Sequence, residues 1–573
     1  MPPQADCDNG ITAVSTNSTV TDIEKQVEHI PNKMQQVMEG PATKTYKSNW
    51  NKPVPFYVAF TSLGIMVLVV SLDATMLAVA IPAITSQLGG TTLEAFWASI
   101  SFMLGVVVTQ PIYTSASDVL GRKMSMYAAC ILFLIGSIIF AVAKSMPIVI
   151  LGRVIQGLGG GGLDVLSEII TADITTLKER PLWIGLHSIP MAAGTLAGPI
   201  IGALLSEYSD WRWIGWMNIP ILAVAVILAF FFLDLKPISG SLRSRLGRLD
   251  MVGMLLFAVG CTLFCLPLSW AGAMYPWSSW KTIVPLLVGV IFILAFCVWE
   301  SKPSEPVFPY RIFQSRTAQV ALTGALIHGM ITYAILIYVP LQFQAVLLQS
   351  PLRSAVNVLP MCAMVVTFSG LSAVGVEYTR RYRWEIWLGW IACTVGTGLC
   401  VLWDRESSVA EIAGFQILLG IGIGTLFTLP SIPLQAAMES ADDHGLASGI
   451  LVSFRLFGAL IGLSMGSTIF SSIFGKKIAP LLPLPEALSA LENPSEAVGF
   501  IPYLRDLESS MPIEVISAIK AVYNDSMRSI WYTLTAFGGI GLILSFWMEE
   551  LTLETEELGR QHFEAGAPRS EKQ

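Results

Sequence analysis

The feature that most restricts this chain is a series of apolar runs near residues 56–82, 95–115, 125–143, 147–169, 182–205, 213–234, 250–271, 281–300, 318–342, 354–375, 385–403, 409–431, 447–473 and 529–548. Each is long enough to cross about 30 Å of hydrocarbon as a helix. A helix satisfies its own backbone groups in that solvent, and runs this long lack the alternation of a barrel strand. Composition agrees: 53% of the 573 residues are apolar and 13% charged, against roughly 45–50% and 25% in soluble domains. The expected fold is an all-α polytopic membrane protein with fourteen transmembrane helices.

The polar segment before the first run lacks the apolar core and small-residue cleavage site of a signal peptide, and residues 1–54 are expected to be a disordered cytosolic tail. Loops after spans 2, 4, 6, 8 and 10 hold fourteen Lys and Arg, including Arg122, Lys123, Arg243, Arg311 and Arg380; those after spans 1, 3, 5, 7, 9 and 11 hold five. The positive-inside bias places both termini in the cytosol. The net charge of −7, with basic residues scattered through short loops, gives no nucleic-acid footprint. Seven of eight cysteines sit inside apolar runs without metal-ligand spacing, so neither disulfides nor zinc is expected.

The chain also repeats itself. Gly157, Gly159 and Gly161 in span 4 recur as Gly420, Gly422 and Gly424 in span 12, and Gly194, Gly198 and Gly202 recur as Gly458, Gly462 and Gly466, at offsets of 263 and 264. Matching offsets at two glycine ladders imply two six-helix halves, 55–234 and 318–549. Residues 235–317 then supply a linker and inserted helices 7 and 8, the long loop 474–528 lies outside, and 550–573 forms a cytosolic tail. The ladders themselves are first of all close-packing surfaces, and in span 5 the glycines with Pro199 are expected to let the helix bend and seat against the other half.

Asp118, Gly121, Arg122 and Lys123 follow span 2. An acid and a base four apart at the membrane surface can tie helix ends together and release them when the halves rock, beyond serving as a positive-inside anchor. Asp118-x-x-Gly-Arg-Lys resembles the first cytosolic-loop motif of the major facilitator superfamily, with Thr114 in place of the usual leading glycine. Leu72-Asp73-Ala-Thr75, running to Ile81-Pro82, is similar to the first-helix motif of its fourteen-span drug:proton antiporter branch, the branch of fungal multidrug and toxin exporters. Arg153-x-x-Gln156-Gly157-x-Gly159 resembles the fourth-helix motif. The pattern Gly185, Gly194, Gly198-Pro199 and Gly202-Ala203 resembles the fifth-helix antiporter motif, and Trp211-Arg212-Trp213 with Asn218-x-Pro220 opens span 6 as that branch does.

The resemblance implies the major facilitator fold and proton-coupled export of small hydrophobic organic substrates, with the proton gradient as energy source, no cofactor and no enzyme activity. It implies a monomer in the plasma membrane, or in a vacuolar or vesicular one. Rival readings are a same-fold importer or vacuolar carrier of siderophores or basic amino acids, and a non-transporting receptor. Asp73 and Arg153 lie roughly 14 Å and 9 Å below the outer surface at 1.5 Å per residue, near enough to pair. Their repeat-related positions, about Leu336 and Gln416, are uncharged, so proton coupling is assigned to spans 1–6, against a fixed structural ion pair. Glu168 and Asp173 join the cytosolic gate. Gln110, Asp164, His328, Tyr338, Gln342, Phe343 and Arg455 are expected to line the substrate cavity, although His328 also suits a satisfied core position and Tyr338 an interfacial belt. Gly157-x-Gly159-x-x-Gly162 matches a dinucleotide fingerprint, but inside a span with no preceding strand it is rejected. No Gly-x-x-x-x-Gly-Lys-Ser/Thr occurs, which excludes ATP as the direct drive.

Overall fold

The computed structural model describes residues 52–88, 92–176, 179–235, 249–271, 275–303, 306–440, 443–493, 497 and 500–553. The chain divides into two units at Pro53, and all but one of the described residues belong to the second. The expected N-terminal tail, the 236–248 linker and nearly all of the expected C-terminal tail lie outside the described residues.

Helices form over all fourteen apolar runs: α1 (Val54–Leu88), α2 (Thr92–Leu120), α3 (Arg122–Ala141), α4 (Met146–Asp173), α5 (Arg180–Tyr208), α6 (Trp213–Phe232), α7 (Met251–Trp270), α8 (Trp280–Trp299), α9 (Arg316–Val346), α10 (Leu359–Thr379), α11 (Arg383–Leu399), α12 (Val409–Thr428), α13 (Asp443–Ile478) and α14 (Ile513–Ser545). Among the described residues, twelve helical stretches are long and apolar enough to cross a membrane. The helices outside that set are α2, which carries Pro111, Glu94 and Asp118, and α14.

The glycine repeats decode into packing. Along α4 alternate glycines face different neighbours: an added Cβ at Gly157 or Gly161 would meet the α2 backbone at Phe102 and Val106, whereas Gly159 faces Ala129 and Phe133 of α3. In α12, Gly420 and Gly424 face Met361 and Val365 of α10, and Gly422 faces Cys393 of α11. Each of these helices is thus wedged between two others at backbone distance, which only glycine permits on both sides at once. The second ladder repeats too, with α5 on α1 and α13 on α9. One correction follows. Gly194, Gly198 and Gly202, expected to seat α5 against the other half, face Leu68, Leu72, Thr75 and Met76 of α1 instead. Of the glycines in the fifth-helix pattern, Gly185 alone crosses the seam, to Ala373 of α10.

The inserted helices α7 and α8 pack on each other, and α7 also touches α2 and α13, one from each half. The loop expected over 474–528 is largely structured: α13 runs on to Ile478, a short helix spans Ile501–Leu507, and α14 starts at Ile513. The first turns of α14 bury Ile516, Ile519, Val522, Tyr523 and Met527 at helical spacing while Lys520 pairs with Glu508 and Asp525 with Lys477. A stripe of this kind lowers average hydropathy without interrupting the helix, so a search for apolar runs passes over it.

Candidate functional site

Helix α4 carries charge at three depths, and each charge organises a layer. Arg153 and Asp164 are eleven residues apart, three turns, so they share a face about 16 Å apart along the axis.

In the outermost layer Arg153 is ion-paired with Asp73 of α1, and both are essentially inaccessible. The Asp73 carboxylate also accepts from Asn218 Nδ2 of α6 at 2.7 Å and from Gln156 Nε2 at 3.3 Å. Gln156 donates as well to Ser137 Oγ of α3 at 2.9 Å, and its Oε1 accepts from Arg153 at 3.0 Å. The guanidinium lies 4.2 Å from the Phe102 ring centroid of α2. Five helices of the first half therefore converge on one ion pair. A pair this deep is tolerable only when its remaining hydrogen-bonding capacity is met, as it nearly is here. Gln156 and Asn218 stand within the fourth- and sixth-helix patterns and Ser137 outside any; sequence reasoning gave none of the three a role, and the motif positions of the first two were the available signal.

The middle layer is a cavity between the halves, lined by Asp164 and Glu168 of α4, His187 and Ser188 of α5, Phe427 of α12 and Arg455 of α13. It holds room for little more than water. Gln110 Nε2 donates to Asp164 at 2.8 Å. Arg455 donates to the Phe427 carbonyl at 2.7 Å and stacks 4.2 Å over its ring. Glu168, expected at the cytosolic gate, faces this cavity, because four residues of helix return it to the Asp164 face.

The third layer holds the remaining residues expected at the cytosolic gate. Arg122 donates to Asp173 at 2.9 Å, to Ser117 at 2.7 Å and to Asp118 at 3.1 Å. Gly121, at φ 106°, makes the turn that lets α3 begin with Arg122 folded back onto α2, a conformation open to glycine and strained for other residues. Lys123 is half-buried beside it. The start of α13 closes over this cluster: a Cβ on Gly445 would fall 2.6 Å from Asp173 Oδ1, and one on Gly449 2.5 Å from Thr114 Oγ1. The glycine that the loop motif lacks at Thr114 is supplied by the facing helix. Across the same seam Arg180 donates to Gln435 at 2.9 Å, and Arg311, in the linker before α9, grips Asp443 at the start of α13 at 2.9–3.0 Å. This end of the seam is shut.

Three residues expected in the cavity are elsewhere. Tyr338 donates to the Leu463 carbonyl against Gly466, Gln342 accepts from Trp531 Nε1, and Phe343 packs on Trp403. Their amides and rings join α9 to α13, to α14 and to the segment after α11 that carries Trp403, because that face of α9 looks into its own half. A fourth, His328, is fully buried away from the cavity lining, with Nε2 3.1 Å from both the Ile423 carbonyl and Thr332 Oγ1 and with Nδ1 lacking a partner among the described residues, so it takes the core position with one nitrogen unmet. Pro199 is half-buried in α5 and leaves the Thr195 carbonyl without its helical donor.

Removing the shared donor of the gate should loosen it. In oriented liposomes carrying Arg122→Gln, a cysteine placed at Ser188 is expected to react several-fold faster with a membrane-impermeant maleimide from the cytosolic side, above the native-cysteine background. An unchanged rate would show that the seam closes without Arg122.

Two repeated bundles of six helices, a central cavity on their seam and ionic layers above and below it define a membrane carrier of the two-halved type. The model of the Major Facilitator Superfamily matches residues 63–463, and the chain belongs to that family. It is 43% identical over 516 residues to the MFS-type transporter sphD of Aspergillus fumigatus, covering 90% of this chain and 89% of that protein. The MFS-type efflux pump MMF1 of Mycosarcoma maydis is 34% identical, with 88% and 80% covered. Among solved structures, an inward-facing bacterial homolog of the human lysosomal transporter Spinster shares the fold at TM-score 0.53 and 17% identity, covering 87% of this chain and 98% of that one. The chain is a multi-pass membrane transporter.

Proposed function

We propose that this protein is a proton-coupled exporter of hydrophobic organic compounds, working as a monomer in the plasma membrane by alternating access between its halves. The observation that carries the reading is the Asp73–Arg153 pair, confined to the first half, where Asp73 accepts from α4 and α6, Ser137 of α3 accepts from Gln156, and the Phe102 ring of α2 lies against the guanidinium. A carboxylate whose partner can be withdrawn by a small helix shift is able to take up a proton in one state and lose it in the other. The efflux-pump names of several relatives support the outward direction. The test is transport by the purified protein in proteoliposomes against a panel of apolar metabolites with an imposed pH gradient. Accumulation that follows the gradient and collapses with a protonophore is expected; movement indifferent to pH would overturn the reading.

Fourteen crossings belong to the same proposal. Helices of 29 and 33 residues reach roughly 43 and 50 Å, and in the repeat α2 stands where α10 does and α14 where α6 does. If α2 crosses, cysteines before and after it lie on opposite sides. Labelling of intact cells at residue 90 and not at exposed Met124, just past the turn, is expected, and equal labelling at both would remove α2 from the count.

A further inference from the structure

The central cavity brings together opposite charges that act on one another across it without forming a direct ion pair among the described residues. Asp164 and Glu168 enter it from the first half and Arg455 from the second, yet no Arg455 nitrogen lies within 4 Å of either carboxylate among the described residues. Arg455 turns instead to a backbone carbonyl and an aromatic face, and its Nε has no partner although the side chain is 4% exposed. His187, 7% exposed and lining the same space, has an unpartnered Nδ1, and Gln110 keeps a free Oε1 behind Asp164. Glu168 has no hydrogen bond among the described residues. The remaining walls are Val67, Ile184, Met191 and the Phe427 ring. Unmet polar groups at this depth are expensive in membrane proteins and mark where a ligand group docks.

We propose that the cavity, widened from its present water-sized space when the halves part, recognises an amphipathic zwitterion, an organic ammonium held by Asp164 and Glu168 together with a carboxylate held by Arg455 and His187, its chain lying on the apolar walls. This rests on the export reading above and gives it a substrate class. The arrangement also explains why the acids and the guanidinium stay apart. Had they paired, the cavity would be a closed ion pair like Asp73–Arg153; held apart on opposite halves, they offer a ligand two anchors, and a ligand using both ties the halves together. A hydrocarbon or a neutral ring would leave every one of these polar groups unmet, and a simple amine would leave Arg455 and His187 unmet.

The test compares three probes of one chain length, 2-aminododecanoic acid, dodecylammonium and dodecanoate, by calorimetric titration of the full chain in nanodiscs, with binding to empty nanodiscs subtracted. The zwitterion should bind at least tenfold more tightly than either singly charged probe. Arg455→Gln should reduce it to the affinity of the amine while leaving the amine unchanged or tighter, Arg455→Lys should recover most of the loss, and Asp164→Asn with Glu168→Gln should reduce it to the affinity of the carboxylate. A zwitterion no tighter than the amine, or an Arg455→Gln variant that folds and weakens all three probes equally, would overturn the proposal. Transport separates the two readings: pH-driven accumulation of dodecylammonium but not of the zwitterion refutes this substrate class and leaves proton-coupled export standing. Selective zwitterion binding without any pH-driven movement refutes export and leaves the site.

Discussion

Asp73→Asn is expected to reduce pH-driven accumulation to the passive level. The substitution keeps the shape of the side chain and its contact with Asn218, but it removes the negative charge that faces Arg153. An unpaired guanidinium is then left in the interior of the first half, and breaking a buried pair from one side typically costs about 3–5 kcal/mol. The single variant should therefore also melt at lower temperature, which confounds an activity loss with an unstable protein. Asp73→Asn combined with Arg153→Gln resolves this. The double variant has no orphaned charge and should regain much of the lost stability, while pH-driven accumulation stays absent and passive exchange persists. Wild-type accumulation by a stable double variant would move the proton to Asp164 or Glu168.

The second large effect is structural. Gly198→Leu places a branched side chain where even a Cβ would collide with Thr75 Oγ1 and sit 2.9 Å from the Leu72 carbonyl. Backbone cannot yield as a side-chain end can, so α5 must move away from α1 along several turns, and overpacking of this kind destabilises by about 1–3 kcal/mol or more. Loss of folded protein is expected, read as a collapse of the monodisperse peak in detergent chromatography, with Gly198→Ala intermediate. Gly414→Leu is the control, since nothing lies within 4 Å of an added Cβ there. A Gly198→Leu protein that is abundant, monodisperse and inactive would mean the ladder acts in motion after all.

The two predictions differ in how openly the sequence announces them. Helix positions were legible because hydrocarbon demands long apolar runs, and the halves because glycine at a backbone crossing has no substitute. The Asp73–Arg153 pair was legible from depth alone, since two opposite charges in an apolar medium have few other partners. Which neighbour a glycine ladder faces was not legible: spacing shows that α5 has a smooth face, and only the packing shows that α1 lies against it. The same ambiguity misplaced Tyr338, Gln342 and Phe343, because a polar and aromatic helix face suits an aqueous cavity and a hydrogen-bonded seam between helices of one half equally well. Ser137 left no trace, being one serine in an apolar helix, and Glu168 was assigned to the gate because nearness to the cytosol outweighed its register with Asp164.

The hairpin of α7 and α8 makes the two flanks of the seam unequal. Trp270 meets Trp97 of α2 at 6.0 Å between rings, and Phe264 stacks on Phe457 of α13 at 5.8 Å, so α7 is fastened to both halves at once. On the opposite flank α5 and α10 meet directly, with Gly185 against Ala373 and no inserted pair beside them. Were the halves to tilt as the proposed mechanism requires, the first flank would stay gasketed against lipid by α7, and the flank of α5 and α10 would be the one able to part toward the bilayer, an asymmetry set by two helices that the repeat itself does not need.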